Sequence, residues 1–131
     1  MRLAAVAMWL VTAGFGVYLL FRWLAGGGLR QQKTKVTRFP ATLVFLHPVL
    51  GVCSLVAWAG FLLSDRRGYV WLSLGLLIPA LLLGFTMFTR WLGAGRHARG
   101  AEQGFPVIAV ALHGLAALTT FVLVLLATTT R

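Results

Sequence analysis

Four long apolar runs dominate this chain and limit what it can fold into. They cover, approximately, residues 3–24, 40–63, 70–92 and 105–128 of the 131-residue sequence. Each run is long enough to cross a hydrocarbon core of about 30 Å as a helix rising about 1.5 Å per residue. None has the polar face that a surface helix of a soluble protein requires. We therefore predict an all-α membrane protein, a single domain over residues 1–131 in which four transmembrane helices form an up-down bundle.

Charged residues lie mostly between these runs and are strongly biased in sign. The chain has twelve Lys and Arg residues but only two acids, Asp65 and Glu102, so its formal net charge is +10. Such an excess can indicate nucleic-acid binding, but the basic runs lack the interleaved aromatic residues of a nucleic-acid reader. We interpret the cations as topology signals that meet anionic lipid headgroups, and we expect no nucleic-acid partner.

The distribution of Lys and Arg predicts an orientation in the cell (plasma) membrane. The first and third connections, with their adjacent helix ends, carry eight cations: Arg22, Arg30, Lys33, Lys35, Arg38, Arg90, Arg96 and Arg99. The opposite side carries four: Arg2, Arg66, Arg67 and Arg131. This bias places loops 1 and 3 in the cytoplasm and both termini outside.

The second half of the chain repeats features of the first half. At an offset of 66 residues, the stretch from Phe39 to His47 matches the stretch from Phe105 to His113, and each begins with Phe-Pro, which is typical of a helix start. At an offset of 68, the Arg-Trp-Leu of residues 22–24 recurs at 90–92, and Gly16 recurs as Gly84. We predict two copies of one helical hairpin, over residues 3–64 and 69–129, related by a pseudo-two-fold axis along the membrane normal.

Two of the three histidines, His47 and His113, lie within apolar runs. Each lies eight residues after the phenylalanine that begins its stretch, Phe39 or Phe105. That is about 12 Å along a helix and hence near the middle of the membrane. The second and fourth helices of an up-down bundle are diagonal, so inward-facing imidazoles would meet at its centre. Ionisable residues at this depth point to a functional site; alternatively, each imidazole hydrogen-bonds a carbonyl or hydroxyl on a neighbouring helix. The third histidine, His97, is expected to be a solvated loop residue.

A ligand shared by only two histidines is most simply a haem. A bare zinc or copper site needs three or four protein ligands, and no further ligand lies at this depth. Two imidazoles are the full axial set of a haem iron. Glycines at positions 14, 16, 75 and 84 are expected to let a flat ring approach. The predicted site, for one haem b per chain, comprises the axial ligands His47 and His113, the small neighbours Gly51 and Ala117, and the candidate propionate partners Arg22, Arg38 and Arg90.

With this histidine pair, the chain resembles the membrane-embedded b-type cytochromes, such as cytochrome b561-like proteins. Their four-helix bundles hold haem between histidines on two helices, often the second and the fourth. The resemblance carries over to His47 and His113 alone and implies electron transfer with a quinone or a redox partner subunit. The chain is also similar to small four-span membrane proteins of bacteria, from which no biochemical role follows.

Two other functions stay open from the sequence. The chain could be an accessory or structural membrane subunit without a cofactor, its histidines serving as interhelical hydrogen-bond donors. A small transporter or channel is less favoured, because the apolar runs contain no Asp or Glu for an ion or proton path. No nucleophile–base pair or acid pair is visible, so whether the chain is an enzyme stays undecided; the haem hypothesis makes it an electron-transfer subunit.

Overall fold

The computed structural model, which describes residues 1–93 and 100–130, contains four long helices. They are α1 (Arg2–Ala25), α2 (Ala41–Ser64), α3 (Arg67–Leu92) and α4 (Val107–Thr129). Short 3-10 turns at Arg30–Gln32 and Ala101–Gly104 lie in the first and third connections. By length and composition all four helices are able to cross a membrane, with mean hydropathies of 1.9 to 2.3 over their most apolar windows. The prediction of an all-α, four-helix chain is confirmed.

Prolines mark where α2 and α4 begin. Pro40 and Pro106 immediately precede these helices, with φ of −58° and −63°. Each is the N-cap residue, whose carbonyl accepts the first helical bond, from the N–H of Val44 or Val110, at 3.1 Å. Because the N–H of an N-cap residue lies outside the helical ladder, proline loses no helical bond there. Pro48 and Pro79 instead lie inside α2 and α3, and each removes one donor from the intrahelical ladder.

The helices pack in a ring. Helix α2 packs mainly against α3, and α1 packs mainly against α4. Less extensive contacts between α3 and α4 and between α1 and α2 complete the ring. Helices α2 and α4 therefore lie diagonally across the bundle, as do α1 and α3.

Polar contacts at one end of the bundle show that the helices alternate in direction. Arg2, at the start of α1, pairs with Asp65, at the end of α2, at 2.6 Å. Arg67, at the start of α3, donates to the carbonyl of Thr128, near the end of α4, at 2.6 Å. Each of these contacts joins the start of one helix to the end of another, as an up-down bundle requires.

The buried apolar residues form two separate clusters along the bundle. The larger cluster lies toward the chain termini and includes Ala5, Trp9, Trp58, Phe61, Val70, Leu74, Leu77, Val124 and Ala127. The smaller lies toward loops 1 and 3 and is built from Trp23, Phe39 and Val44. The levels between the clusters contain the two histidines and the hydroxyls of Thr12 and Thr120, so the middle of the bundle has polar side chains.

Candidate functional site: the paired histidines

His47 on α2 and His113 on α4 approach each other in the middle of the bundle. Their ring centroids are 6.0 Å apart, and the ring planes are inclined at 75°. Both side chains are partly buried. Among the described residues, no hydrogen bond joins one imidazole to the other. The diagonal helices thus bring the two rings into an edge-to-face arrangement without a hydrogen bond between them.

Each imidazole is held by a main-chain carbonyl of a neighbouring helix. Nδ1 of His47 lies 2.8 Å from the carbonyl oxygen of Ala80 on α3. Nδ1 of His113 lies 2.9 Å from the carbonyl oxygen of Thr12 on α1. Because a carbonyl can only accept, Nδ1 carries the proton in both rings. In a neutral imidazole this leaves the lone pair on Nε2, which is then the nitrogen able to accept a hydrogen bond or to bind a metal.

Two glycines allow the imidazoles to lie this close to the helix backbone. A Cβ at Gly84 would lie 2.9 Å from Cε1 of His47, and a Cβ at Gly16 would lie 3.1 Å from Cε1 of His113. In each case the glycine is four residues after the residue whose carbonyl accepts from the histidine, so it lies one helical turn further along the same face. A larger residue at either glycine would push the ring away from its acceptor.

The other small residues that the sequence placed near the site have different surroundings. Cβ atoms at Gly14, Gly75 and Gly51 would meet nothing within 4 Å. Ala117 is partly buried on α4. Of the four glycines expected to admit a flat ring, Gly16 and Gly84 lie against the imidazoles. That a flat ring approaches them stays a prediction.

The three arginines proposed as propionate partners lie at the end of the bundle that carries loops 1 and 3, here called the loop end. Arg22 donates to the carbonyl of Gly104 at 2.8 Å, and Arg90 donates to the carbonyl of Arg38 at 2.9 Å. Arg38 itself donates to the carbonyl of Gly93 at 2.7 Å. All three side chains are exposed, and each guanidinium has five N–H donors, so these contacts leave donors for a further acceptor.

Seven residues beyond each histidine, a buried hydroxyl joins the polar middle of the bundle. Ser54 donates to the carbonyl of Ser73 at 2.7 Å, and the hydroxyl of Ser73 donates back to the carbonyl of Ser54 at 2.9 Å. Thr120 donates to the carbonyl of Ala116 in its own helix at 2.8 Å and lies 3.3 Å from the hydroxyl of Thr12. The hydroxyls of this level are therefore satisfied within the bundle.

Glu102 is a residue of the loop end whose position the sequence did not predict. Its side chain is fully buried, and it accepts hydrogen bonds from the Thr37 hydroxyl at 2.8 Å and from the Arg38 main-chain N–H at 2.7 Å. It thereby joins loop 3 to loop 1 just before α2. The sequence identified Glu102 only as one of two acids, because its burial depends on contacts between loops far apart in the chain.

Other candidate groups do not join the histidine pair. Within residues 1–93 and 100–130, no three His, Cys, Asp or Glu side chains come together in a way that would hold a metal ion. Cys53 is exposed on α2. Two surface clefts lie elsewhere, one lined by Arg2, Phe61 and Arg67 and the other by Tyr69 and Leu72. His97 lies outside the described residues.

No protein-family model, curated protein or solved structure matches this chain.

Proposed function

We propose that this chain is an integral membrane, b-type cytochrome-like electron-transfer protein, or the membrane subunit of an oxidoreductase, that holds one haem b between His47 and His113. The observation that carries the proposal is the pair of contacts between Nδ1 and a main-chain carbonyl. Both imidazoles give their Nδ1 proton to a carbonyl, so both have Nε2 available, and their ring centroids lie 6.0 Å apart. A ligating histidine commonly donates its other N–H to a carbonyl in this way.

The distance between the rings is compatible with a metal ion between them. Metal–imidazole bonds are about 2 Å long, so the centres of two rings that share one metal lie more than about 4 Å apart. The observed separation of 6.0 Å meets that condition. Two aromatic rings in direct edge-to-face contact are also about 4.5–7 Å apart, so the distance alone does not distinguish a shared metal from ring contact. Two protein ligands suffice only if the remaining ligands belong to a cofactor, as they do in haem.

The residues around the pair would orient the axial ligands and set their surroundings. The Ala80 and Thr12 carbonyls would fix the rotation of each ring, and Gly84 and Gly16 would keep the rings against the helices. Arg22, Arg38 and Arg90 are the candidate partners of the propionates at the loop end. When bound, haem supplies one-electron redox chemistry, whose partner would be a quinone or another subunit.

The proposal also covers insertion of the chain in the membrane and the internal repeat of its two helical hairpins. We propose that all four helices span the cell membrane, with loops 1 and 3 in the cytoplasm and both termini outside. We also propose that residues 3–64 and 69–129 are two copies of one hairpin. Reciprocal contacts support this: Arg22 contacts the residue before Phe105, while Arg90 contacts the residue before Phe39. The two histidine–carbonyl bonds have the same reciprocity.

Absorption spectroscopy tests the haem proposal. Protein purified from haem-replete cells should show a Soret band and, after reduction, the α-band of a b-type haem. His47→Ala and His113→Ala should each abolish both bands. A folded protein that stays colourless after incubation with haemin would contradict the proposal.

A cofactor-free accessory function is the second candidate, and one observation favours it. Each imidazole already has a main-chain acceptor, so the pair can hold α2 to α3 and α4 to α1 without any ligand. This function predicts that both His→Ala variants lower the stability of a colourless protein. A transporter or channel is less favoured, because α1 to α4 contain no Asp or Glu.

A further inference from the structure

We propose that residues 29–36 of loop 1, here called the basic loop, form a binding site for the headgroups of anionic phospholipids. The inference rests on the proposed membrane insertion of the helices but not on haem. Within the basic loop, the two glutamines are partly buried and the three cations, Arg30, Lys33 and Lys35, are exposed, with the Arg30 guanidinium lying against Gly27. The loop therefore presents exposed positive charge at this end of the bundle.

The glutamines hold the basic loop to the bundle through several main-chain bonds. Gln32 donates to the carbonyl of Phe39 at 2.9 Å and accepts from the N–H of Ala41 at 3.0 Å, at the start of α2. Gln31 accepts from the N–H of Ala101 at 2.8 Å, which joins the loop to loop 3. A loop that is already ordered loses less conformational entropy when it binds a ligand.

Within the described residues, the three exposed cations of the basic loop have no acidic partner that would neutralise them. Arg30, Lys33 and Lys35 are exposed, and within the described part of the chain none of them forms an ion pair. Glu102, the acid of this end, is fully buried and is occupied by Thr37 and by the Arg38 N–H. Arg22, Arg38 and Arg90 differ from the cations of the basic loop, because their guanidinium groups donate to main-chain carbonyls.

Apolar side chains at both ends of the basic loop specify a lipid surface as the partner. Leu29 and Val36 are 49% and 38% exposed, and they flank the three cations. The loop also directly follows an apolar helix that is able to cross a membrane. Cations between exposed apolar side chains match the boundary of an anionic membrane, where charged headgroups lie next to acyl chains. An acidic protein surface would satisfy the cations but not the two apolar side chains.

Native mass spectrometry of the full chain, released from nanodiscs that contain equal amounts of phosphatidylglycerol and phosphatidylcholine, tests the proposal. We expect retained phosphatidylglycerol on the wild-type chain. The variant Arg30→Gln/Lys33→Gln/Lys35→Gln should lower the retention constant by about a hundredfold, since each juxtamembrane cation contributes about a fivefold preference. The variant Arg30→Lys/Lys33→Arg/Lys35→Arg should retain the lipid, and Arg66→Gln, at the opposite end, should match the wild type.

Each other outcome contradicts the proposal in a distinguishable way. Equal retention of both lipids, or unchanged retention in the glutamine variant, would overturn the lipid site. If soluble polyglutamate bound the wild-type chain at concentrations at which phosphatidylglycerol does not, the basic loop would be assigned to an acidic protein partner instead. Failure of the chain to enter nanodiscs would overturn the membrane insertion itself, while loss of haem alone would leave this proposal intact. Unchanged far-UV circular dichroism is the control for folding.

Discussion

The His47 and His113 halves of the site use the same contact but differ in what holds that contact in place. In both halves Nδ1 donates to a carbonyl of the adjacent helix, at 2.8 Å for His47 and 2.9 Å for His113. In both, a glycine one turn further along the acceptor helix makes room for the ring. The bond and the glycine are thus the common requirement for placing an imidazole here.

The supports around the two halves are different. The start of α2, which carries His47, is held by Glu102 through the Arg38 N–H and by Gln32 through the Ala41 N–H. The start of α4, which carries His113, is held by Arg22 through the carbonyl of Gly104. Arg90 makes the equivalent bond to the carbonyl of Arg38 before α2, so the Glu102 and Gln32 bonds are what the His47 half has in addition. The difference teaches that the position of an imidazole depends on one local contact, whereas the helix that carries it can be anchored in several ways.

Loss of either histidine is expected to have the largest effect. If the two halves form one site, His47→Ala and His113→Ala will each remove the whole Soret band, because one remaining imidazole leaves the shared site incomplete. The double variant will then lose no more haem than either single variant. The measurement is haem content per chain by the pyridine haemochrome method. Half-occupancy in a single variant would show that the halves are separate sites. His97→Ala serves as the matched control and should keep full haem content.

Removal of Glu102 should have the next largest effect and should act on the His47 half. Glu102→Ala leaves the Thr37 hydroxyl and the Arg38 N–H without their buried acceptor. Hydrogen bonds to a charged group contribute about 1.5–3 kcal/mol each, so we expect the free energy of unfolding in mixed micelles to fall by about 3 kcal/mol. Reversible denaturation followed by tryptophan fluorescence measures this change.

The other acid provides the control for charge. Asp65 is 74% exposed in its pair with Arg2, so Asp65→Asn should cost less than about 1 kcal/mol. Equal losses of stability in Glu102→Ala and Asp65→Asn would mean that net charge, rather than the buried bonds of Glu102, accounts for the effect.

Added methyl groups at the two glycines should have a smaller effect. Gly84→Ala would put Cβ 2.9 Å from His47, and Gly16→Ala would put it 3.1 Å from His113. Both should lower the free energy of unfolding by about 1–3 kcal/mol, and Gly84→Ala should lower it more because its Cβ is closer to the ring. The controls are Gly14→Ala and Gly75→Ala, which face open space. They should be neutral or should stabilise their helices by about 0.5–1 kcal/mol. Thermal unfolding compares the four variants, and a loss in the controls would show that any helix glycine is needed.

The helices and the level of the histidines were predictable from the sequence because both depend on local patterns. Apolar length predicts four helices, and the equal spacing from Phe39 to His47 and from Phe105 to His113 predicts imidazoles at one level. The recurrence of Gly16 as Gly84 was a signal for close packing.

The carbonyl acceptors and Glu102 were not predictable in the same way. Which carbonyl meets Nδ1 depends on how α2 is rotated against α3 and how α4 is rotated against α1, and helices that are apolar on all sides carry little information about rotation. Glu102 is buried through contacts with Thr37 and Arg38, which lie 65 and 64 residues away in the chain. No local pattern reports contacts of that range.

The smallest expected effects concern the hydroxyls seven residues beyond each histidine, and they sharpen the comparison furthest. Ser54 bonds across helices to Ser73, whereas Thr120 gives its proton to Ala116 in its own helix. Interhelical hydrogen bonds in membrane proteins contribute about 0.6 kcal/mol on average. Ser54→Ala should therefore lower the free energy of unfolding by about 1 kcal/mol, since it breaks a reciprocal pair, and Thr120→Val should leave it nearly unchanged. Equal losses in the two variants would mean that Thr120 supports the His113 half through its 3.3 Å approach to Thr12, and that the two halves are anchored more alike than their hydrogen bonds indicate.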